Sequence, residues 1–153
     1  MKLSLPHLRR RAAVMAMALA TSTAWLPTTA SAQATAPRVK LSTSMGDIVI
    51  ELYPDKAPKT VENFLQYVRD KHYDGTVFHR VISNFMVQGG GFDQSYTQKP
   101  TRPPVAHEGQ AAIAQGGPRN VVGTVAMART NDPNSASSQF FINVKDNAFL
   151  DPT

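Results

Sequence analysis

Apolar and polar positions alternate early in the chain and then change period. Ile48, Ile50 and Leu52 alternate with Val49 and Glu51, the period-2 pattern of a half-buried strand. A similar run at 39–43 precedes it, and Ser44-Met45-Gly46-Asp47 between them has turn chemistry. Residues 39–43 and 47–53 are therefore expected to form a hairpin. Pro54 ends it, because proline has no N–H to donate to a ladder. Val61, Phe64, Leu65 and Val68 then fall at i, i+3, i+4 and i+7. That spacing predicts a helix over 59–71 with one apolar stripe, and Pro58 fits its first turn. The β-rich runs 76–82 and 85–88 predict two short strands, preceded by an Asp74-Gly75 turn and split by Ser83-Asn84. Alternation through the first places Phe78, Arg80 and Ile82 on one face and Val77, His79 and Val81 on the other. Gly89, Gly90 and Gly91 permit positive φ or close approach to another surface. Residues 92–120 show no period and read as irregular. Strands are expected again at 121–128 and 139–144, with turn-forming residues over 129–138 between them. Asp146-Asn147 turns the chain, leaving Ala148-Phe149-Leu150 as an apolar tip.

Arg80 breaks the pattern, as a guanidinium among apolar strand residues. An arginine rarely goes inside unless paired. Three readings stand open on these residues alone: a solvated face, a carboxylate partner, or the lining of a cleft.

Charge and composition change the picture at the amino end. The chain has 153 residues, a length for one domain. Lys2, Arg9, Arg10 and Arg11 give a positive start, 12–26 is mostly apolar, and Ala30-Ser31-Ala32 has the small-x-small cleavage pattern. Residues 1–32 are therefore expected to be a cleavable secretory signal, ahead of a single domain at 33–153. Thr21, Ser22 and Thr23 interrupt the apolar run, which is short for a membrane span of ~20 residues. Four of the 16 Lys and Arg lie before Gln33 and none of the 11 Asp and Glu does, so the remainder is close to neutral at +1. The basic balance thus belongs to the signal and points to no nucleic acid and no stable membrane insertion. Absence of cysteine excludes disulfides and the common zinc patterns. His72, His79 and His107 lack close ligand spacing, so no metal is expected.

The spacing Tyr73…Thr76-x-Phe78-His79-Arg80-Val81-Ile82-x-x-Phe85-Met86-x-Gln88-Gly89-Gly90 resembles the signature of the cyclophilin family of peptidyl-prolyl cis-trans isomerases. A second stretch, Gly123-Thr-Val-Ala-Met-Ala-Arg129 followed by Ser138-Gln139-Phe140-Phe141-Ile142, is similar to another family block in the same order. The resemblance spans 39–150 and is strongest to the small periplasmic cyclophilins of Gram-negative bacteria. It implies a mainly β fold, an antiparallel barrel with a capping helix. Family members continue past this chain's last residue with closing strands, a second helix and a further pocket residue, so an incomplete barrel is expected.

The resemblance also implies an activity: rotation about X-Pro bonds in proline-containing, unfolded or folding exported proteins, by a periplasmic monomer with no cofactor. It assigns Arg80 as the catalytic donor and Gln88 as the group that orients it. Phe85, Met86, Phe141 and Leu150 would hold the proline ring. Ala128 and the backbone of Arg129 would bind the peptide beside it, and Gln139 would line the groove. Phe149 stands where many relatives have tryptophan, which removes an indole donor from the substrate site. Arg129 stands where many have asparagine, and its cation at the groove rim favours acidic substrates. A second reading keeps the proline pocket as a binding module or chaperone without significant turnover.

Overall fold

The computed structural model describes residues 36–152. The expected signal at 1–32 lies outside the described residues. β1 (Arg38–Thr43) and β2 (Gly46–Glu51) pair antiparallel, from Thr43 opposite Gly46 to Arg38 opposite Glu51. Thr43 Oγ1 donates to the Gly46 carbonyl at 2.7 Å and accepts from the Met45 N–H at 3.1 Å, closing the turn. The predicted alternation holds. Val39 and Ile50 face each other across the hairpin and are buried, with Leu41 and Ile48 packed beside them. Val49, on the other face, is exposed.

α1 (Pro58–Arg69) begins on its proline. Val61 and Phe64 are buried, and Leu65 and Val68 pack partly buried against the core, as the stripe predicts. The helix stops two residues short of the expected end, because Lys71 adopts a positive φ of 54°. Tyr67, which the stripe omitted, is 2 % exposed. Its hydroxyl accepts from the Arg102 N–H at 2.7 Å, pinning a distant loop to the helix.

The helix start has no cap of its own: Ala57 occupies the N-cap position. Glu108 serves from 48 residues away. Its Oε2 accepts from the Thr60 N–H at 2.7 Å and the Thr60 hydroxyl at 2.8 Å, and its Oε1 from the Lys59 N–H at 3.1 Å. A carboxylate there satisfies open amides and meets the positive end of the helix dipole. Glu108 directly precedes α2 (Gly109–Ala114), a short helix inside the stretch read as irregular.

The second sheet contains β3 (Arg80–Ile82), β4 (Met86–Gly89), β5 (Val125–Met127) and β6 (Phe140–Asn143), in the antiparallel order β3-β4-β6-β5. These strands are shorter than expected, for local reasons. Thr76 bridges to Asp93, and the Val77 N–H donates to Phe92, so only the second half of 76–82 pairs with β4. Phe78 accordingly turns towards Phe140 and the core and does not share the Arg80 face. Gly123, at φ +83°, turns the chain just before β5. Among the described residues the strands form a two-stranded and a four-stranded sheet, not one closed barrel.

Burial alone would raise the Glu108 pKa, but the bonds from Thr60 and Lys59 outweigh it and hold the carboxyl below its ordinary value of 4.5. The stabilisation is therefore present above the unfolded-state pKa and is lost as pH falls through the folded one. Glu108→Gln should lower stability by about 0.5–1 kcal/mol at neutral pH. In urea titrations the gap between the two proteins should be full above the unfolded-state value and narrow only as pH falls below it and through the lowered folded-state value, where Glu108 takes up its proton.

Candidate active site

Antiparallel pairing sets the site out as a row. Arg80 lies opposite Gln88, Gln88 opposite Phe141, and Phe141 opposite Ala126. Cross-strand partners share a face of the sheet, so these four residues line up on one side. Ile82, Met86 and Asn143 form the next row on that side. On the opposite side, Val125, Met127, Phe140 and Ile142 belong to the hydrophobic core. The two-residue period of the strands thus puts the Arg80–Gln88–Phe141 row and these core residues on opposite faces of the sheet.

Gln88 is the link within the row. Its Oε1 accepts from Arg80 Nη1 at 3.3 Å, and its Nε2 donates to Gln139 Oε1 at 2.9 Å. Gln139 in turn occupies space that a side chain at 91 would take: a Cβ on Gly91 would come within 2.6 Å of it. Gly90 is required twice over. It has φ +84°, and a Cβ there would lie 2.9 Å from Tyr73 and 3.0 Å from Phe140. The three glycines therefore seat Phe78, Tyr73, Phe140 and Gln139 against the end of β4.

Arg80 is exposed, and its guanidinium carbon sits 6.0 Å from the centre of the Phe85 ring, the outer limit of cation–π attraction. Among the described residues no carboxylate pairs with it. Of the three open readings the carboxylate partner falls, and Arg80 borders a cavity of about 930 Å³ that also reaches the core-side residues Ile50, Phe64, Val125 and Met127. Phe85, Met86, Gln88, Ala128, Arg129, Phe141 and Leu150 border the same cavity. Gln139 and Phe149 do not. Gln139 reaches the site through Gln88. Phe149 is 76 % exposed and stacks on Phe85, with ring centres 5.7 Å apart. Met86, by contrast, is 2 % exposed, so it forms a floor beneath the others. Among the described residues no three His, Asp or Glu side chains converge as metal ligands.

The sequence reading missed the support beneath the pocket wall. Asn143 and Asn147 are 1 % and 3 % exposed. Asn147 Nδ2 donates to the Phe85 carbonyl at 2.9 Å and to Asn143 Oδ1 at 2.7 Å. Asn143 Nδ2 donates to Thr124 Oγ1 at 3.0 Å and Asn120 Oδ1 at 3.2 Å. The Asn120 N–H and amide both donate to Asp151 Oδ1, beside Leu150. One amide network therefore ties down both Phe85 and the tip carrying Phe149 and Leu150. A signal existed: Asn143 sits two residues after Phe141, on the same strand face. Asn147→Ala would leave Asn143 Oδ1 buried without that donor. It should cost about 1–3 kcal/mol in chemical denaturation, and the Phe85 ring resonances should shift in NMR spectra.

Known proteins resemble this chain over most of its described residues. The family model for cyclophilin type peptidyl-prolyl cis-trans isomerase/CLD matches residues 38–153. A peptidyl-prolyl cis-trans isomerase of Streptomyces antibioticus is 64 % identical over 115 residues, covering 75 % of this chain and 66 % of the relative. Peptidyl-prolyl cis-trans isomerase A of Dickeya dadantii is 54 % identical, over 80 % of this chain and 62 % of its own length. The chain thus spans just under two-thirds of these relatives. The crystal structure of a Hirschia baltica cyclophilin superposes with a TM-score of 0.65 at 30 % identity, covering 74 % of this chain and 59 % of that one. A Cryptosporidium parvum cyclophilin, solved in the presence of the dipeptide Ala-Pro, gives 0.63 at 28 % identity over 75 % and 72 %. A family match across most of the chain, with identities above one half, shows that this protein belongs to the cyclophilin family.

Proposed function

We propose that the protein is a peptidyl-prolyl cis-trans isomerase acting on X-Pro bonds of polypeptides. The observation that carries this is the row itself: an unpaired, Gln88-tethered guanidinium beside Phe85, Met86 and Phe141. The X-Pro amide resists rotation because resonance gives it double-bond character, with a barrier of ~18–20 kcal/mol. Rotation breaks that conjugation and returns a lone pair to the prolyl nitrogen. A donor held in place for the twisted amide stabilises it more than the planar one, which is the condition for catalysis. Arg80 supplies the donor, Gln88 and Gln139 hold its direction, and the apolar walls anchor the ring. No bond to the enzyme forms or breaks. That the Cryptosporidium parvum cyclophilin was solved in the presence of Ala-Pro supports a proline ligand.

We also propose that the clients are exported proteins and the compartment the periplasm, on the strength of the basic start, apolar run and Ala30-Ser31-Ala32. Amino-terminal sequencing of the secreted form should begin at Gln33.

Arg80→Ala should lower protease-coupled isomerisation by about 10²–10³-fold and leave the affinity for a proline peptide within a few fold. Equal turnover by both proteins would defeat the catalytic assignment. Binding without turnover in either would favour a proline-peptide binding module.

A further inference from the structure

We propose that the groove selects proline peptides carrying an acidic residue within about five residues of the proline, and that Arg129 reads it. This rests on Arg80 marking the proline position.

The charges around the cavity are unevenly committed. Its two carboxylates are Glu51 and Glu108. Glu51 pairs with Arg38 at 2.7 Å, and Glu108 is held by the start of α1. Two of its cations are also taken, Lys56 by Asp55 at 3.1 Å and Arg119 by Asp151 at 3.0 Å. Arg80 and Arg129 remain, and among the described residues neither forms an ion pair. The uncompensated Lys, Arg, Asp and Glu charges on this groove are therefore both positive.

Arg129 is also held in place. Its Nη1 donates to the Thr130 carbonyl at 2.9 Å, which leaves its other N–H groups open. The loop beneath is braced: the Thr130 N–H and hydroxyl both meet Ser135 Oγ at 2.9 Å. Asp132, the nearest acid in sequence, accepts from the Asn134 N–H instead and does not border the cavity.

The register sets the distance. Arg80 and Ala126 are three strand steps apart in the row, ~14 Å at ~4.8 Å per step. Arg129 lies three residues beyond Ala126, ~10 Å along the strand direction, giving a diagonal of roughly 17 Å. An extended peptide crosses that in about five residues at ~3.3 Å each, and the reach of two arginines shortens it.

The test uses fluorescently labelled Ala-Pro peptides with Asp, Ala or Lys placed three to five residues to either side of the proline. Binding is read by anisotropy at low and high salt, and turnover by the protease-coupled assay. At low salt an Asp peptide should bind about two- to five-fold more tightly than its Ala counterpart, and high salt should erase the difference. The Asp-to-Lys affinity ratio should collapse in Arg129→Ala and invert in Arg129→Glu. Equal binding of Asp and Ala peptides at low salt would overturn the proposal, as would an Asp preference that survives Arg129→Glu. Failure of the isomerase reading looks different: no peptide is turned over, while the charge preference in binding persists.

Discussion

Phe140 and Phe141 are neighbours on one strand and must point to opposite faces of its sheet. Phe140 is 3 % exposed and meets Phe64, Tyr73 and Phe78 edge-on at ring distances of 5.7, 5.5 and 6.3 Å. Phe141 thereby faces the cavity, in register with Gln88. A slip of one residue in β6 would exchange the two rings, burying Phe141 and turning Phe140 towards the row. Core packing is thus what fixes the site. The aromatic cluster under α1 holds β6 in register, β6 aligns β4, and β4 aligns Arg80.

The long segment between β4 and β5 serves this arrangement more than its irregular sequence implies. It closes the start of α1 with Glu108 and returns Arg102 to Tyr67. Both contacts tie the segment to α1, one at its start and one at Tyr67. At the opposite end of the site, buried asparagines do the work that apolar packing does elsewhere. They hold carbonyls and turns where the chain must stay close to the cavity without filling it. Fully bonded buried amides are rigid, whereas partly bonded ones are costly, which explains why this network reaches from Thr124 to Asp151 without a break.

The hairpin, the helix and the existence of the other four strands were legible because apolar period reports burial directly. Strand lengths were not, because Thr76 and Val77 found partners at 92–93 and β-propensity cannot tell one partner from another. α2 was hidden by its brevity and its glycine start. Tyr67 was missed because a tyrosine on the edge of the stripe needs a distant donor, Arg102, to be buried. Arg80, Gln88, Phe85, Met86 and Phe141 were singled out through the motif that they share with cyclophilins, and the structure brings all five to the border of one cavity. Phe149 was placed at the substrate site because it stands where many relatives have tryptophan; it is exposed and stacks on Phe85, while Leu150 borders the cavity. The asparagine network was hard to see because, apart from the Asn143–Asn147 pair four residues apart, its partners lie 19 to 62 residues apart in the chain.

The central claim is that Arg80 works on the prolyl amide as a donor aimed by Gln88. Magnetisation-exchange NMR on a proline peptide measures cis-trans exchange directly, at equilibrium and without a coupling protease. The account predicts that the protein accelerates exchange without altering the cis and trans populations. It also predicts that Gln88→Ala slows exchange in the parent protein but has no further effect once Arg80 is alanine, since the two act as one unit. Independent, additive losses from the two substitutions would contradict it.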